Sequence, residues 1–281
     1  MTERELLIAA QHPFIVQMHA AFQSEACLHF VLDYVPGGDL QGRLIAEGAL
    51  DLERCRLYTV EVSLALGFLH DRQGAIYRDL KPDNVLIDGA GHVLLADFGL
   101  SKVAETSSTF CGTAEYMAPE VIKSLPHDKT IDWWGVGVLL YELLFGSSPF
   151  AHDNHLVVQR NILKQPIAVD EACDADASAL MLALLVRDPA ARLGAGASGT
   201  ADVLAAPFFG ALDVDTVIAR GYTPAWVPPA DGVATRESQE FDEDGVKLEP
   251  IPLDEGELDG EEGSAECADF DDFAFTPRGA S

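Results

Sequence analysis

The sequence predicts an α+β fold in which a few strands come first and helices fill most of the remaining chain. Stretches at 14–22 and 27–35 are rich in strand-forming residues, and a Pro-Gly-Gly break follows them. Residues 52–71 and 131–145 then place apolar side chains at helical spacing. From residue 207 onward the periodicity is lost and Pro, Gly and acidic residues accumulate, which predicts an extended or disordered tail.

The first part of the chain is expected to alternate short elements with turns. Residues 2–10 are predicted to be the end of a helix that stops before Pro13, because the residue preceding a proline disfavours helical geometry. A polar turn at 23–26 would join the two strands. Asp39 is a candidate N-cap for a short helix that ends at Glu47.

A short hairpin is predicted in the middle of the chain. Residues 85–87 and 92–96 are apolar strands, and the residues between them, Asp-Gly-Ala-Gly at 88–91, carry turn chemistry. The hairpin would fold Asp97 back beside Asn84, although thirteen positions separate the two in the sequence.

The later helices are separated by prolines. The helix at 131–145 is hydrophobic nearly all round, so it should be buried at the centre of the helical part. Further helices are predicted at 154–164, 176–186 and 200–205. Residues 100–118 are rich in Ser, Thr and Gly and are expected to form a loop.

The composition excludes several classes of function. A net charge of −28 over 281 residues argues against nucleic-acid binding and membrane-surface binding, and it suits a basic partner or substrate. Residues 231–281 contain 17 acidic and 3 basic residues, a net charge of −14. The N-terminus is too acidic for a signal peptide and no segment is expected to enter a membrane, so an intracellular, cytoplasmic or nuclear, location is predicted. Five scattered cysteines without a CxxC pair indicate reduced thiols.

Chemistry-bearing residues concentrate around the hairpin. The run from Tyr77 to Asn84 reads Tyr-Arg-Asp-Leu-Lys-Pro-Asp-Asn, and Asp-Phe-Gly begins at Asp97. A carboxylate and an amide oxygen at this junction suit Mg²⁺, which prefers hard oxygen ligands and binds together with phosphates. Asp79 could accept a hydroxyl proton, and Lys81 could place a positive charge near a transferred group.

These motifs together resemble those of a protein kinase. Residues 78–84, Asp-Phe-Gly at 97–99 and Ala-Pro-Glu at 118–120 resemble the catalytic loop, the metal loop and the end of the activation segment. Tyr77 stands where histidine is commonest. A tyrosine at this position, together with the sequence of residues 110–120, resembles the AGC group of serine/threonine kinases. Within that group, the chain resembles most the ribosomal-protein kinases and the mitogen- and stress-activated kinases. The resemblance extends from residue 2 to about 275.

The resemblance implies a protein-kinase-like fold with a truncated small β lobe, a complete helical large lobe and an extended C-terminal tail. It assigns residues 1–206 to the kinase domain, incomplete at its N-terminus, and 207–281 to the tail. Glu3 would be the helix glutamate that pairs with a strand lysine. In this sequence, neither a Gly-rich phosphate loop nor that lysine precedes Glu3.

Catalytic and metal-binding roles follow from the same resemblance, with ATP and Mg²⁺ as cofactors. Asp79 would be the base that accepts the hydroxyl proton, and Lys81 would stabilise charge on the moving phosphoryl group. Asn84 and Asp97 would hold the metal ions, and Thr113 would share the substrate site.

The nucleotide would lie at the hinge between the lobes. Leu32 would close the back of the adenine pocket, Asp33 and Val35 would offer backbone hydrogen bonds, and Leu86 would form the pocket floor. Asp39 would reach the ribose or a substrate arginine. A strand end would place Leu32 and Leu86 similarly without any ligand.

Substrate and regulatory roles are implied further along the chain. Asp83 and Glu142 match acidic positions that receive basic residues ahead of the target hydroxyl, so the expected partners are protein substrates with upstream Arg or Lys. Thr109 matches the activation-loop site that an upstream kinase phosphorylates in this group. Arg78 is the cation that would bind the phosphate on Thr109.

The tail and the scaffold also have assigned residues. Phe270 and Phe273 resemble the hydrophobic motif whose aromatic rings dock on the small lobe, and an acidic disordered end with incidental aromatics is the alternative. Glu120 and Arg192 are expected to form a structural ion pair. Asp132 is expected to accept hydrogen bonds from the catalytic-loop backbone.

The sequence supports two functions of different classes. The first is a serine/threonine protein kinase that acts on sites in basic sequence context, as the catalytic residues of the loop suggest. The second is a catalytically silent, pseudokinase-like interaction module, which the missing phosphate loop and strand lysine favour.

Overall fold

A computed structural model describes residues 10–23, 28–103, 107 and 113–229. The described chain has an α+β architecture, with a small two-stranded sheet at one end and a larger helical part, as the sequence predicts. The helix expected at 2–10 lies outside the described residues except for its last position. Among the described residues, no helix is long and apolar enough to cross a bilayer.

The small lobe is an antiparallel pair of strands, β1 (Met18–Gln23) and β2 (Leu28–Leu32). The predicted first strand was wrong at its start, since residues 14–16 do not pair with the second strand, whereas Gln17 O still accepts from Asp33 N at 3.0 Å. Phe14 and Ile15 are instead fully buried against the later hairpin, where Val16 N donates to Leu95 O at 2.9 Å. Burial of two large side chains outweighs continuation of the strand.

Two helices follow the hinge, α1 (Leu40–Glu47) and α2 (Leu52–Phe68). The predicted cap is confirmed, because the carboxylate of Asp39 accepts a hydrogen bond of 2.6 Å from the backbone N–H of Gly42. A wider helical turn at Leu69–Gln73 continues α2, and Gly74 ends it with a left-handed φ of 60°.

Two small antiparallel ladders follow. Strand β3 (Ala75–Ile76) pairs with β6 (Lys102–Val103), and β4 (Val85–Ile87) pairs with β5 (Val93–Leu95). The second ladder is the predicted hairpin, which is therefore confirmed. The first was not predicted, since a strand of two residues has no detectable period.

The helical lobe consists of α3 (Pro119–Ile122), α4 (Thr130–Phe145), α5 (His155–Lys164), α6 (Ala175–Leu184) and α7 (Thr200–Leu204). Helix α4 packs against α2 and α6, and most of its side chains are buried, which confirms its predicted central position. Trp134 stacks on Phe150 with ring centroids 5.8 Å apart.

The folded part continues past residue 206. A helical turn at Pro207–Phe209 buries both phenylalanines, and helix α8 (Val214–Ile218) follows it. The prediction of an extended or disordered tail from Pro207 onward was therefore wrong for these residues, because elements of three and five residues are too short to show a period in the sequence. The residues from 230 onward lie outside the described part of the chain.

Candidate active site

Hydrogen bonds to Asp132 of helix α4 hold the loop between β3 and β4. The carboxylate of Asp132 accepts hydrogen bonds from the backbone N–H of Tyr77 at 2.9 Å and of Arg78 at 2.8 Å. It is also bonded to Nε2 of His70 at 2.7 Å. The predicted role of Asp132 is thereby confirmed. Arg78 has a φ of 72°, a conformation that non-glycine residues adopt only when the surroundings enforce it.

The two carboxylate oxygens of Asp79 have different neighbours. Oδ2 accepts hydrogen bonds of 2.9 Å from Nζ of Lys81 and from Nδ2 of Asn84. Oδ1 faces Oγ1 of Thr113 at 3.4 Å. Asp79 is buried, with 7% of its surface exposed. One oxygen is thus fixed by two donors, and the other is directed toward the segment that carries Thr113.

The hairpin brings Asn84 and Asp97 to the same end of the β4–β5 ladder. The backbone N–H of Ala96 donates to the carbonyl of Asn84 at 2.9 Å, so Asp97 follows directly. Asp97 is exposed and has a left-handed φ of 51°, and its Oδ1 accepts from Gly99 N at 3.1 Å. The sequence prediction that these residues are neighbours is confirmed.

The donor set fits Mg²⁺. The side-chain amide nitrogen of Asn84 donates both to Oδ2 of Asp79 and to its backbone carbonyl, at 2.9 and 2.8 Å, which directs the amide oxygen away from Asp79. Together with the carboxylate of Asp97, this oxygen would offer a metal ion two hard ligands, with phosphates and water to complete its coordination. Within the described ranges, no three His, Cys, Asp or Glu side chains form a metal cluster by themselves.

The hinge packs closely onto β4. The N–H of Gly37 donates to Ile87 O, and Ile87 N donates to Gly38 O, both at 2.8 Å. A Cβ on Gly37 would lie 2.3 Å from Ile87 O, so only glycine permits this approach. A bridge between Asp39 and Leu86 continues the contact.

The predicted nucleotide residues line this hinge. Leu32 is 42% exposed, whereas Val35 and Leu86 are half-buried. The carboxylate of Asp33 is bonded to Nε2 of His19 at 2.6 Å and to Gln17 N at 3.0 Å, and the backbone N–H of Asp33 donates to Gln17 O. Val35 makes no backbone hydrogen bond within the described part of the chain.

An acidic group forms beside the catalytic loop. Tyr116 donates a hydrogen bond of 2.6 Å from its hydroxyl to Oε2 of Glu142. Burial raises the pKa of Glu142, and the negative charges of Glu115 and Asp83 raise it further. The structure thus brings the two predicted residues Asp83 and Glu142 together and adds Glu115 and Tyr116. Sequence reasoning missed these two, because only the fold shows that they face Glu142.

Ser107 anchors the middle of the activation segment to His127. Ser107 and His127 exchange backbone hydrogen bonds of 2.7 and 2.8 Å. The guanidinium of Arg78 donates to Leu100 O at 2.5 Å and to Oγ of Ser107 at 3.2 Å. Four predicted residues, Glu3, Thr109, Phe270 and Phe273, lie outside the described residues.

The end of the activation segment is tied to the late helices by the predicted ion pair. Arg192 donates to the two carboxylate oxygens of Glu120 at 2.6 and 2.9 Å. Both side chains are almost completely buried, and Arg192 also donates to Thr130 O. This pairing is confirmed as a bidentate contact.

Comparison with known proteins agrees with this arrangement. The protein kinase domain model matches residues 1–209. The chain belongs to the protein kinase family. It is 40% identical to serine/threonine-protein kinase YPK1 of Saccharomyces cerevisiae, over 89% of this chain and 37% of that protein. It is 42% identical to human ribosomal protein S6 kinase alpha-2, over 80% of this chain and 31% of that protein.

A third relative extends the same group. The chain is 39% identical to serine/threonine-protein kinase sgk-1 of Caenorhabditis elegans, over 90% of this chain and 55% of that protein. The predicted membership in the AGC-type serine/threonine kinases, with ribosomal-protein kinases among the relatives, is confirmed. The chain spans about a third of the length of the first two relatives and about half of the third.

Proposed function

We propose that this chain transfers the γ-phosphate of Mg·ATP to serine or threonine hydroxyls that follow basic residues. The observation that carries the proposal is the arrangement around Asp79. Lys81 and Asn84 fix its Oδ2, and Oδ1 faces the substrate side at Thr113. A carboxylate held in this way is oriented to accept a proton from an incoming hydroxyl.

The chain's own residues would perform most of the work by positioning. The substrate hydroxyl would lie near Oδ1 of Asp79 and pass its proton to that oxygen, while Lys81 offers positive charge to the moving phosphoryl group. Asn84 and Asp97 would hold Mg²⁺, which neutralises charge on the phosphates when bound. The hinge would hold the adenine, with Leu86 as the floor and Asp39 near the ribose.

The acidic group supports the preference for basic substrates. Glu142, Asp83 and Glu115 lie close enough for their charges to interact, and desolvation makes an uncompensated carboxylate at Glu142 unfavourable. A substrate arginine or lysine would supply the missing positive charge. This complementarity favours protein substrates with a basic residue ahead of the target hydroxyl.

Regulation through Thr109 is part of the proposal. Arg78 lies against Ser107, two positions before Thr109 in the sequence. A phosphate added to Thr109 by an upstream kinase would bring about two negative charges to the neighbourhood of this guanidinium. The added contact would order the activation segment next to Asp79.

The test is a phosphoryl-transfer assay on the full 281-residue chain with Mg·ATP and peptides that contain or lack upstream arginines. The matched control is Asp79→Asn, which keeps the shape of the side chain and removes the base. We expect transfer to Ser or Thr in arginine-containing peptides and a loss of about 10²- to 10⁴-fold in Asp79→Asn. Transfer that is equal in both proteins, or absent from both, would contradict the proposal.

A catalytically silent interaction module is the second candidate, and the surface of the small lobe favours it. Phe22, Val31 and Leu32 are each about two-fifths exposed, and Tyr34 is 85% exposed. Exposed apolar side chains on so small a sheet favour a surface that binds a partner. Absence of both phosphoryl transfer and Mg·ADP binding from the wild-type chain would favour this candidate over the kinase.

A further inference from the structure

The turn of the β4–β5 hairpin is joined to the segment after α8 by an ion pair. Asp88 begins the turn, and its Oδ1 accepts hydrogen bonds from Ala90 N at 2.9 Å and His92 N at 3.0 Å. Its Oδ2 pairs with the guanidinium of Arg220. The residues are far apart in the sequence, so this contact fixes the late segment to the hairpin.

The backbone of Arg220 indicates that its side chain is needed there. Helix α8 ends with two hydrogen bonds of 2.8 Å, from Arg220 N to Val217 O and from Gly221 N to Thr216 O. In this capping motif glycine usually occupies the position of Arg220, because the residue takes a left-handed conformation. Arg220 has a φ of 56°, and this strain is tolerated where a side chain has a specific contact to make.

The late segment lies directly on the hairpin turn. Gly91 has a φ of 89°, and a Cβ at this position would lie 2.2 Å from the carbonyl oxygen of Trp226. Arg43 of α1 places its guanidinium 4.3 Å from the centre of the Trp226 ring. The segment after α8 therefore contacts both helix α1 and the β4–β5 hairpin.

A second anchor holds the other strand of the hairpin. Oε2 of Glu61 accepts from Val93 N at 2.9 Å, and its Oε1 is bonded to Nδ1 of His92 at 2.5 Å. Burial raises the pKa of Glu61; the contacts with His92 and Val93 oppose that rise, and the positive charge of Arg220 opposes it least. Arg220 also lies over the ring of Phe14, with its guanidinium carbon 5.8 Å from the centroid. Arg220 is thus paired with Asp88 at the turn and lies over Phe14 beside the hairpin.

The hairpin has functional residues at its open end. Asn84 precedes β4 and Asp97 follows β5 by two positions, so loosening of the pairing between the two strands would change the distance between these two predicted metal ligands. The strands have only three residues each, and a ladder of this length has little stability of its own. Contacts at the turn therefore set how well the open end is ordered.

We propose that Arg220 is a positioning residue that, by pairing with Asp88, holds the β4–β5 hairpin in the geometry that binds Mg²⁺ and nucleotide. This inference rests on the proposed kinase function for its link to the metal site. The segment after α8 would thereby affect the affinity for nucleotide and not the affinity for peptide.

The experiment compares full-length wild type with Arg220→Gly, Arg220→Lys, Asp88→Asn and the double variant Asp88→Asn/Arg220→Gly. Arg220→Gly relieves the strained φ and removes the ion pair, whereas Asp88→Asn keeps an oxygen for the turn and removes the charge. Binding of Mg·ADP is measured by calorimetry, and amide hydrogen exchange is measured over 85–97. KM for ATP and KM for peptide are determined in parallel.

We expect the Kd for Mg·ADP to rise about fivefold in Arg220→Gly and in Asp88→Asn, with no further loss in the double variant, because both changes remove one interaction. Arg220→Lys should retain part of the affinity. Exchange over 85–97 should be faster in the weakened variants, and KM for peptide should stay unchanged.

Three outcomes would overturn the inference. They are wild-type affinity in both single variants, additive losses in the double variant, and a loss of affinity in proportion to thermal stability alone. If the wild type binds no Mg·ADP, the proposed kinase function fails separately. The pairing is then judged by exchange, and unchanged exchange in Arg220→Gly would refute it.

Discussion

The hydroxyl of Tyr116 lies 2.6 Å from Oε2 of Glu142 and joins the end of the activation segment to helix α4. Burial raises the pKa of Tyr116 well above its ordinary value, so the hydroxyl stays a donor at all physiological pH values. The bond fixes one oxygen of Glu142. The negative charges of Asp83 and Glu115 disfavour the ionised carboxylate of Glu142, so a bound cation would stabilise it.

We predict that Glu142→Gln selectively weakens the use of basic substrates. The substitution keeps the size of the side chain and removes its charge, so kcat/KM should fall about tenfold or more for a peptide with an upstream arginine. It should change little for the same peptide with alanine at that position. Tyr116→Phe is the matched control, since it removes only the hydrogen bond, and its effect should be smaller. Equal losses for both peptides would contradict this prediction.

The same residue predicts a pH dependence of specificity. Because its pKa is raised, Glu142 takes up a proton at a higher pH than an ordinary glutamate does. The preference for arginine should be complete above that raised pKa and should decline as the pH falls through it. The measurement is the ratio of kcat/KM for the arginine and alanine peptides against pH. Glu142→Gln should give a flat, low ratio, and a wild-type ratio that is equally flat would count against the assignment.

Much of the site could be predicted because its motifs fix both chemistry and geometry. The hairpin strands and their turn are visible in the sequence, so Asn84 and Asp97 were expected as neighbours and are found so. The ion pair of Glu120 with Arg192 was also expected. That expectation came from the resemblance to the kinase family, and the burial of both charges explains why they need each other as partners.

The parts that could not be predicted depend on contacts between distant segments. No periodic pattern in the sequence indicates three of these contacts. They are the burial of Phe14 against β5, the hydrogen bond from Tyr116 to Glu142, and the ion pair of Arg220 with Asp88. Helix α8 is too short to show a helical period, and tertiary packing decides its position. Sequence patterns report local preference, whereas these contacts result from the assembled fold.

Thr113 provides a prediction about substrate positioning. Its hydroxyl faces Oδ1 of Asp79 at 3.4 Å, a weak contact in the absence of substrate. We expect Thr113→Ala to lower kcat about tenfold, because the base loses a neighbour that orients it, and Thr113→Ser to remain close to wild type. Steady-state kinetics with saturating Mg·ATP measures the effect. If serine and alanine prove equally damaging, the hydroxyl is not the group that matters.

The buried ion pair predicts a large effect on stability. Removing one partner leaves an unpaired charge in the interior, so Glu120→Gln and Arg192→Met should each reduce the free energy of unfolding by about 3 to 5 kcal/mol. The double variant should lose less than the sum of the two, because neither charge is then left alone. Chemical denaturation followed by tryptophan fluorescence measures all three. Simple additivity would show that the pair is not coupled.

The hydrogen bond of Tyr77 links the catalytic loop to the residue before Asp97, the proposed metal ligand. Its hydroxyl donates to the carbonyl of Ala96 at 2.5 Å, and burial raises its pKa well above the ordinary value, so it remains protonated. Tyr77→Phe would leave this carbonyl without its partner, at a cost of about 1 to 3 kcal/mol. We expect lower thermal stability and a higher Mg²⁺ requirement for activity. Tyr77→His should restore part of the Mg²⁺ response if its ring nitrogen reaches the same carbonyl. A phenylalanine variant with a wild-type Mg²⁺ titration would show that Asp97 is positioned without this bond.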